Sequence, residues 1–182
     1  MIRVALIAKL ALGLTILGSS AAVAQVSNNA VRIGVINDRS GLYADVTGEG
    51  SVIAARLAIA DFGGQVLGRP IELVSADHQN KTDVAAGVAR RWFDADGVDA
   101  IADGGSSGAS LAIQDIARER GRIALLSGPA SSDLTGKACS PTGFHWSYDT
   151  YALAASTARA RSDSEYTRPP VQSSRSPCRA PA

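Results

Sequence analysis

The chain has no excess of charge of one sign: 18 Lys and Arg against 17 Asp and Glu leave +1 over 182 residues. That balance creates no broad field of the kind that nucleic acid or an anionic membrane surface requires, so neither is expected as a partner. Cysteine is scarce. Cys139 and Cys178 are the only two, enough for one bridge in an exported protein but not for a disulfide scaffold. They lie in segments of very different character, and an unbridged pair is expected. Histidine is as scarce, with His78 and His145 alone. Nothing close in sequence completes a metal-ligand set around either, so no metal or other cofactor is expected. His78 reads as a loop residue, and His145, beside Trp146, as a satisfied core or surface imidazole rather than a catalytic one. A Walker loop and a dinucleotide fingerprint are missing, which argues against an enzyme.

No apolar run is long enough to cross a bilayer uninterrupted. The run Val4 to Gly18 is broken by Lys9, whereas a membrane anchor needs about 20 apolar residues. With Arg3 before it and Ser19-Ser20-Ala21-Ala22-Val23-Ala24 after it, residues 1–24 read as a secretory signal peptide with an Ala-x-Ala cleavage site. No cysteine follows the run, so a lipid anchor is not supported. A soluble mature chain beginning near Gln25, in a bacterial periplasm, is expected.

What is present is an alternation of strand and helix signals. Val31–Ile36 is an apolar run delivered into the polar turn Asn37–Gly41. The apolar residues Val52, Ile53, Leu57, Ile59 and Ala60 then recur at helical spacing before Gly63-Gly64. Ile71–Ala76 is a second strand, and a helix capped at Thr82 or Asp83 follows, with Val84, Val88, Trp92, Ala85 and Ala89 as its buried face. Val98–Ala102 and Arg122–Leu126 read as strands three and four, separated by a helix over Ala109–Arg120. Such an alternation predicts an α/β protein with a doubly wound parallel sheet covered on both faces. Ligands bind such sheets outside the carboxyl ends of the strands, and here those ends are rich in Gly, Ser, Asp and Asn.

Two loops carry the chemistry. Asp103-Gly104-Gly105-Ser106-Ser107-Gly108-Ala109-Ser110 joins a strand to a helix. Its glycines allow close backbone approach, its hydroxyls donate or accept, and the helix start offers free N–H groups to an anion such as a carboxylate or phosphate. The same residues also suit a plain N-cap, in which Ser106 or Ser107 satisfies the first turn. The second loop, Ser127–Asp133, would stand beside the first. Thr150–Ala160 opens a helix, and beyond it residues 161–182 hold prolines, serines and arginines with Val171 as the only strong aliphatic. This tail, expected to be disordered and non-native, leaves residues 25–160 as one domain.

Several stretches together resemble the leucine/isoleucine/valine-binding protein family of periplasmic receptors: Val31–Tyr43, Gly68–Asp77, the SSGAS loop with Ile116–Glu119, and Asp133–His145. The resemblance implies the first lobe of a type I periplasmic-binding fold, in a family of two-lobed proteins that close on a ligand. It implies ligand contacts at Ser107, where the family holds a carboxylate, at Pro129, Ala130 and Ser131 on the neighbouring loop, and at Ser40, Gly41 and Tyr43 on the first-strand turn. The second lobe and the strands that complete the first have no counterpart, so the lobe is expected to be incomplete, a truncated or frameshifted product with an exposed sheet edge prone to association.

The function so implied is that of an extracytoplasmic solute-binding component of an ABC-type importer. Its ligand would be a branched-chain amino acid or a similar small carboxylate, its partner the membrane permease, and it would not be an enzyme. The alternatives are an exported α/β hydrolase or nucleotide-processing fragment that uses the Ser107 loop, and a ligand sensor for a membrane receptor.

Overall fold

Aliphatic and β-branched residues crowd Val31–Asn37 because this strand, β1, runs through the middle of the sheet and is covered by its neighbours on both edges. The computed structural model describes residues 29–165, with side chains through residue 161. After β1 come α1 (Gly48–Asp61), β2 (Gln65–Val66), β3 (Arg69–Asp77), α2 (Thr82–Asp94), β4 (Ala100–Asp103) and α3 (Ser107–Glu119). β5 (Ile123–Leu126), a 3-10 turn at Ser132–Leu134, β6 (Gly143–His145) and α4 (Thr150–Glu165) complete the order.

The six strands lie in the order β2-β3-β1-β4-β5-β6. Every pairing is parallel except β2 with β3. The chain leaves β1 for β3 on one side, and α2 then carries it across to β4 on the other. The reversal puts a crevice between the ends of β1 and β4, the position where open α/β sheets bind ligands.

Two of the six strands were not anticipated. β2 pairs with the start of β3 through Leu67 and Gly68, both at positive φ (53° and 72°), as two-residue hairpin turns require. Only its glycine signals the turn, and a two-residue strand has no periodicity to detect. β6 has three residues and joins the edge beside β5, where Gly143 lies flat on the Gln114 side chain with no room for a Cβ. The amide of Gln114 in turn donates to the carbonyls of Leu134 (3.0 Å) and Ala138 (2.8 Å), fastening the segment before β6 to α3.

The core lies between the sheet and the α2/α3 layer. Ala85, Ala89, Trp92 and Phe93 from α2 meet Ala109, Ile113, Ile116 and Ala117 from α3 over Ile36, Ile101, Ala124 and Leu126. Trp92 is expected and found inside, but Val84 and Val88 sit only at the edge while Ala86 and Phe93 are buried. The opposite face departs from the expectation of even cover. α1 buries only Gly48 and Val52, whereas Ile53 and Leu57 are 49% and 60% exposed. Beside it an apolar trough of about 450 Å³ is lined by Val31, Ile33, Phe62, Ala102 and Leu125. Helical spacing says which residues share a stripe but not whether another layer meets it.

Three further expectations change. α3 begins at Ser107 rather than Ala109, so the end of the Gly-Ser loop forms the first helical turn. α4 continues through Glu165, past the composition change at Ala160, because Ala158, Arg159, Ala160 and Arg161 are good helix formers. Cys139 is disulfide-bonded; composition of the flanking segments does not govern bridging, since a bridge asks only for local proximity. Cys178, the chain's one other cysteine, lies outside the described residues, as do residues 1–28, including the signal segment, and the tail from residue 166.

The closest approach of helix to sheet is at Gly34 of β1, where a Cβ would run into the ring of Trp92, itself 4% exposed. A rigid indole has no way to yield. Gly34→Ala is expected to destabilise the fold by about 1–3 kcal/mol, the usual cost of overpacking, measured as a lowered midpoint in urea unfolding.

Candidate functional site

At the end of β1 the chain stops being apolar while remaining buried. Asn37 and Asp38 are fully buried, and the Asn37 Nδ2 and both Asp38 carboxylate oxygens are used in hydrogen bonds, while Asn37 Oδ1 has no protein partner among the described residues. The Asn37 carboxamide donates to the carbonyls of Thr47 (2.8 Å) and Gly48 (2.7 Å) and to Asp103 Oδ2 (3.2 Å), tying the end of β1 to the start of α1 and the end of β4. The Asp38 carboxylate accepts from the N–H groups of Gly41 (2.7 Å) and Tyr43 (2.9 Å), which winds residues 38–43 into a closed turn.

His78 completes this floor. It lies in the loop after β3, as its reading from the sequence has it, and is fully buried there. Its backbone N–H donates to Asn37 O (2.9 Å) and its ring Nε2–H to Gly104 O (3.1 Å), so the residue links the ends of β1 and β4, with Nδ1 buried and, among the described residues, without a protein partner. Next to it Asp77 accepts from Arg39 N (3.0 Å), Ser40 Oγ (2.6 Å) and Gln79 N (2.8 Å). Burial opposes ionisation of Asp77, but the Ser40 hydroxyl, the two N–H groups and the Arg39 charge outweigh it and hold its pKa below the ordinary value of 3.8.

The loop from β4 to α3 is shaped by three successive residues at positive φ: Asp103 (77°), Gly104 (83°) and Gly105 (63°). A Cβ on Gly105 would lie 3.1 Å from His78 Nε2 and 3.3 Å from Asp38 N, a tight fit that adds to the strain a side chain would meet at φ 63°. Ser106 then takes an ordinary extended conformation, at φ −96° and ψ 151°, and its side chain makes no capping hydrogen bond. The plain N-cap left open by the sequence is therefore not formed, and the first-turn N–H groups of α3 have no cap from Ser106.

The loop after β5 stands beside this helix start. Ala130 N donates to Ser107 Oγ (3.3 Å), which leaves the Ser107 proton free to donate elsewhere. The carbonyls of this loop are taken from behind: Pro129 O accepts from His145 Nε2 (2.8 Å), and Ala130 O from Thr150 N (2.8 Å). His145 is thus a half-buried, hydrogen-bonded imidazole. Together the loops enclose a cleft of about 240 Å³ lined by Tyr43, Val46, Thr47, Gly105, Ser106, Ser107, Gly128, Pro129, Ala130 and Tyr148.

Of the residues singled out in the sequence, Tyr43, Ser107, Pro129 and Ala130 line this cleft. Ser40, Gly41 and Ser131 are not among its lining. Ser40 and Gly41 are held by Asp77 and Asp38, and Ser131 Oγ accepts from Asp133 N (3.3 Å) to start the 3-10 turn. Val46, Thr47 and Tyr148 were missed because they come from loops whose path depends on Asp38, Asn37 and β6. Gly104-Gly105-Ser106-Ser107-Gly108 also carries the Gly-x-Ser-x-Gly spacing of a nucleophile elbow. That motif needs its central serine on a strained turn with a base nearby, whereas Ser106 is unstrained and both histidines bond backbone carbonyls. Among the described residues no His/Cys/Asp/Glu group could hold a metal ion, and no helix is long and apolar enough to cross a membrane.

Comparison with known proteins agrees with this geometry. The family model described as periplasmic binding protein matches residues 30–170. A solved periplasmic binding protein from Burkholderia mallei shares 44% identity over 75% of this chain and 36% of its own, with a TM-score of 0.72. A branched-chain amino acid ABC transporter periplasmic ligand-binding protein from Burkholderia xenovorans shares 43% over 75% and 36%, with a TM-score of 0.70. A solute-binding protein of an ABC transporter from Rhodopseudomonas palustris, solved with 3,4-dihydroxybenzoic acid, shares 25% over 67% and 33%, with a TM-score of 0.62. The chain thus spans little more than a third of the length of these relatives. No curated protein matches it.

The floor carries a pH dependence whose sign is set by Asp77. Its folded pKa is lowered, so its contribution to stability is full above the unfolded value and is lost as pH falls through the folded one. Asp77→Asn is expected to flatten the acid limb of stability below about pH 4, read from thermal midpoints between neutral pH and pH 2.

Proposed function

Because the chain belongs to the periplasmic binding protein family, we propose that it is the extracytoplasmic solute-binding component of an ABC-type importer, and that it binds a branched-chain amino acid or similar small carboxylate. One observation carries this reading: the N-terminus of α3 is left uncapped by Ser106 and opens into the cleft beside the Ser107–Ala130 pair. A carboxylate placed there receives N–H groups, a hydroxyl and the positive end of the helix dipole, with no polar group that repels it. The cleft is smaller than the roughly 300–1,000 Å³ typical of drug-sized ligands, which suits a small solute.

Relatives of the chain are binding proteins, and the surroundings of Ser107 suit binding rather than hydrolysis. Its hydroxyl is engaged by the N–H of Ala130, and a nucleophilic serine requires a base within hydrogen-bond reach. Export would be directed by residues 1–24, and the permease would be met by the family's docking surfaces. Ser107 is the contact whose removal matters most. Calorimetric titration of the chain from Gln25 onward against amino acids and small carboxylates is expected to show saturable binding, weakened roughly 10-fold or more in Ser107→Ala, as loss of a hydrogen bond to a charged group implies. A folded chain that binds nothing in the panel would refute the proposal.

A further inference from the structure

We infer that the outer edge of β3 pairs with the same edge of a second copy of this chain, antiparallel about a two-fold axis at Ser75, which joins the two sheets into one. The inference goes beyond solute binding and does not depend on it. β3 is the long strand near one margin of the sheet, Arg69–Asp77, and β1 pairs with it on the inner side along Ile71–Asp77. On the outer side β2 reaches only Arg69 and Pro70.

Two backbone hydrogen bonds fix which groups that edge leaves open. Ile71 N donates outward to Gly64 O (2.9 Å), whereas His78 N donates inward to Asn37 O (2.9 Å). Successive residues of a strand turn their N–H and C=O groups to alternate sides. Leu73, Ser75 and Asp77 therefore present theirs outward, and among the described residues no strand receives them. Alternating donors and acceptors at that spacing are matched by another extended backbone. Natural edges are ordinarily protected by lysine, proline, a bulge or brevity. Ile71–Asp77 contains no lysine, proline or glycine, and it follows β1 residue for residue without a bulge. Its one inner charge, Glu72, is paired with Arg32 at 2.7 Å.

The segment is self-complementary, and this points to a second copy as its occupant. With Ser75 opposite its own counterpart, Leu73 lies opposite the partner's Asp77 and Val74 opposite the partner's Ala76. All three outward-facing residues then exchange backbone hydrogen bonds, and the pairing stops before Ile71, whose N–H is held by Gly64. The only charge in Leu73–Asp77 is the Asp77 carboxylate. Its two copies stand at opposite ends of the paired stretch, about 14 Å apart by the strand rise, beyond the screening length of physiological salt. On the α2 side Val74 and Ala76 are only partly buried, on the floor of a groove of about 580 Å³ bordered by Trp92 and the Arg91–Asp96 pair. The partner's Ala76 and Val74 add apolar cross-strand contacts beside that floor. The ladder is short, so the dimer is a weak, reversible one.

The test is sedimentation velocity and light scattering of the full chain over a series from micromolar to millimolar concentration. The weight-average mass is expected to rise reversibly from that of a monomer towards twice that value. Ser75→Pro removes an N–H that makes no bond to β1, a change that edge strands tolerate. It is expected to shift half-association to at least about 10-fold higher concentration, as the loss of two backbone hydrogen bonds per dimer implies. Ser75→Asp keeps an acceptor for Arg39 but sets two carboxylates opposite each other across the axis, and is expected to do the same; it decides the question if the proline variant does not fold. Urea unfolding at dilute concentration shows which variants are folded. A chain that stays monomeric throughout the series overturns the inference. Association that the folded variants retain also overturns it, and would move the contact to another surface, such as the open trough beside α1.

Discussion

The carboxamide of Asn37 is the contact on which the binding end of the molecule depends. It leaves the apolar interior at the end of the central strand and reaches two carbonyls at the start of α1 and a carboxylate at the end of β4. Three chain segments that would otherwise diverge are held together there, and His78 repeats the tie from below through Asn37 O and Gly104 O. Most of the buried polar groups here are matched, while Asn37 Oδ1 and His78 Nδ1 are buried without a protein partner among the described residues. The result is a rigid polar floor over which a glycine loop passes in near contact.

From that floor follows the character of the cleft. Its carboxylates and imidazoles are consumed in holding loops, so what faces the cleft is backbone, small hydroxyls and two tyrosines. The α3 terminus presents donors because Ser106 does not cap it, and Ser107 keeps a proton to donate because its oxygen already accepts from Ala130 N.

Packing is lopsided in a way that the binding end does not share. The α2/α3 face is closed by small residues that bring helix and sheet together, with Trp92 laid directly on Gly34. On the other face α1 covers β1 and β3 while the trough along Ile33, Ala102 and Leu125 stays open. Relatives that share this fold are about twice as long, each covered over only about 36% of its length by this chain. Within the described residues the polar floor is tied together across β1, α1 and β4, whereas the sheet's second face is left partly open.

Sequence by itself determined the class of this protein. Alternating apolar runs and amphipathic spacings are local signals, and they placed β1, β3, β4, β5 and the three crossover helices within a few residues, and with them the parallel sheet and its Gly-Ser loops. Local signals also marked the Gly-Ser loop that holds Ser107, with a plain N-cap left open, while Ala130 came from the family resemblance alone. Only the tertiary structure decided the rest. β2 and β6 are too short to have a period, and they form because a long strand offers them an edge. Whether Ser106 caps α3, whether the loop residue His78 is buried, and whether Ser40 faces a ligand or Asp77 all depend on which partner arrives from a distant part of the chain. Hydrogen bonds between residues tens of positions apart leave no trace in local spacing, and at this site they determine which atoms remain free to bind.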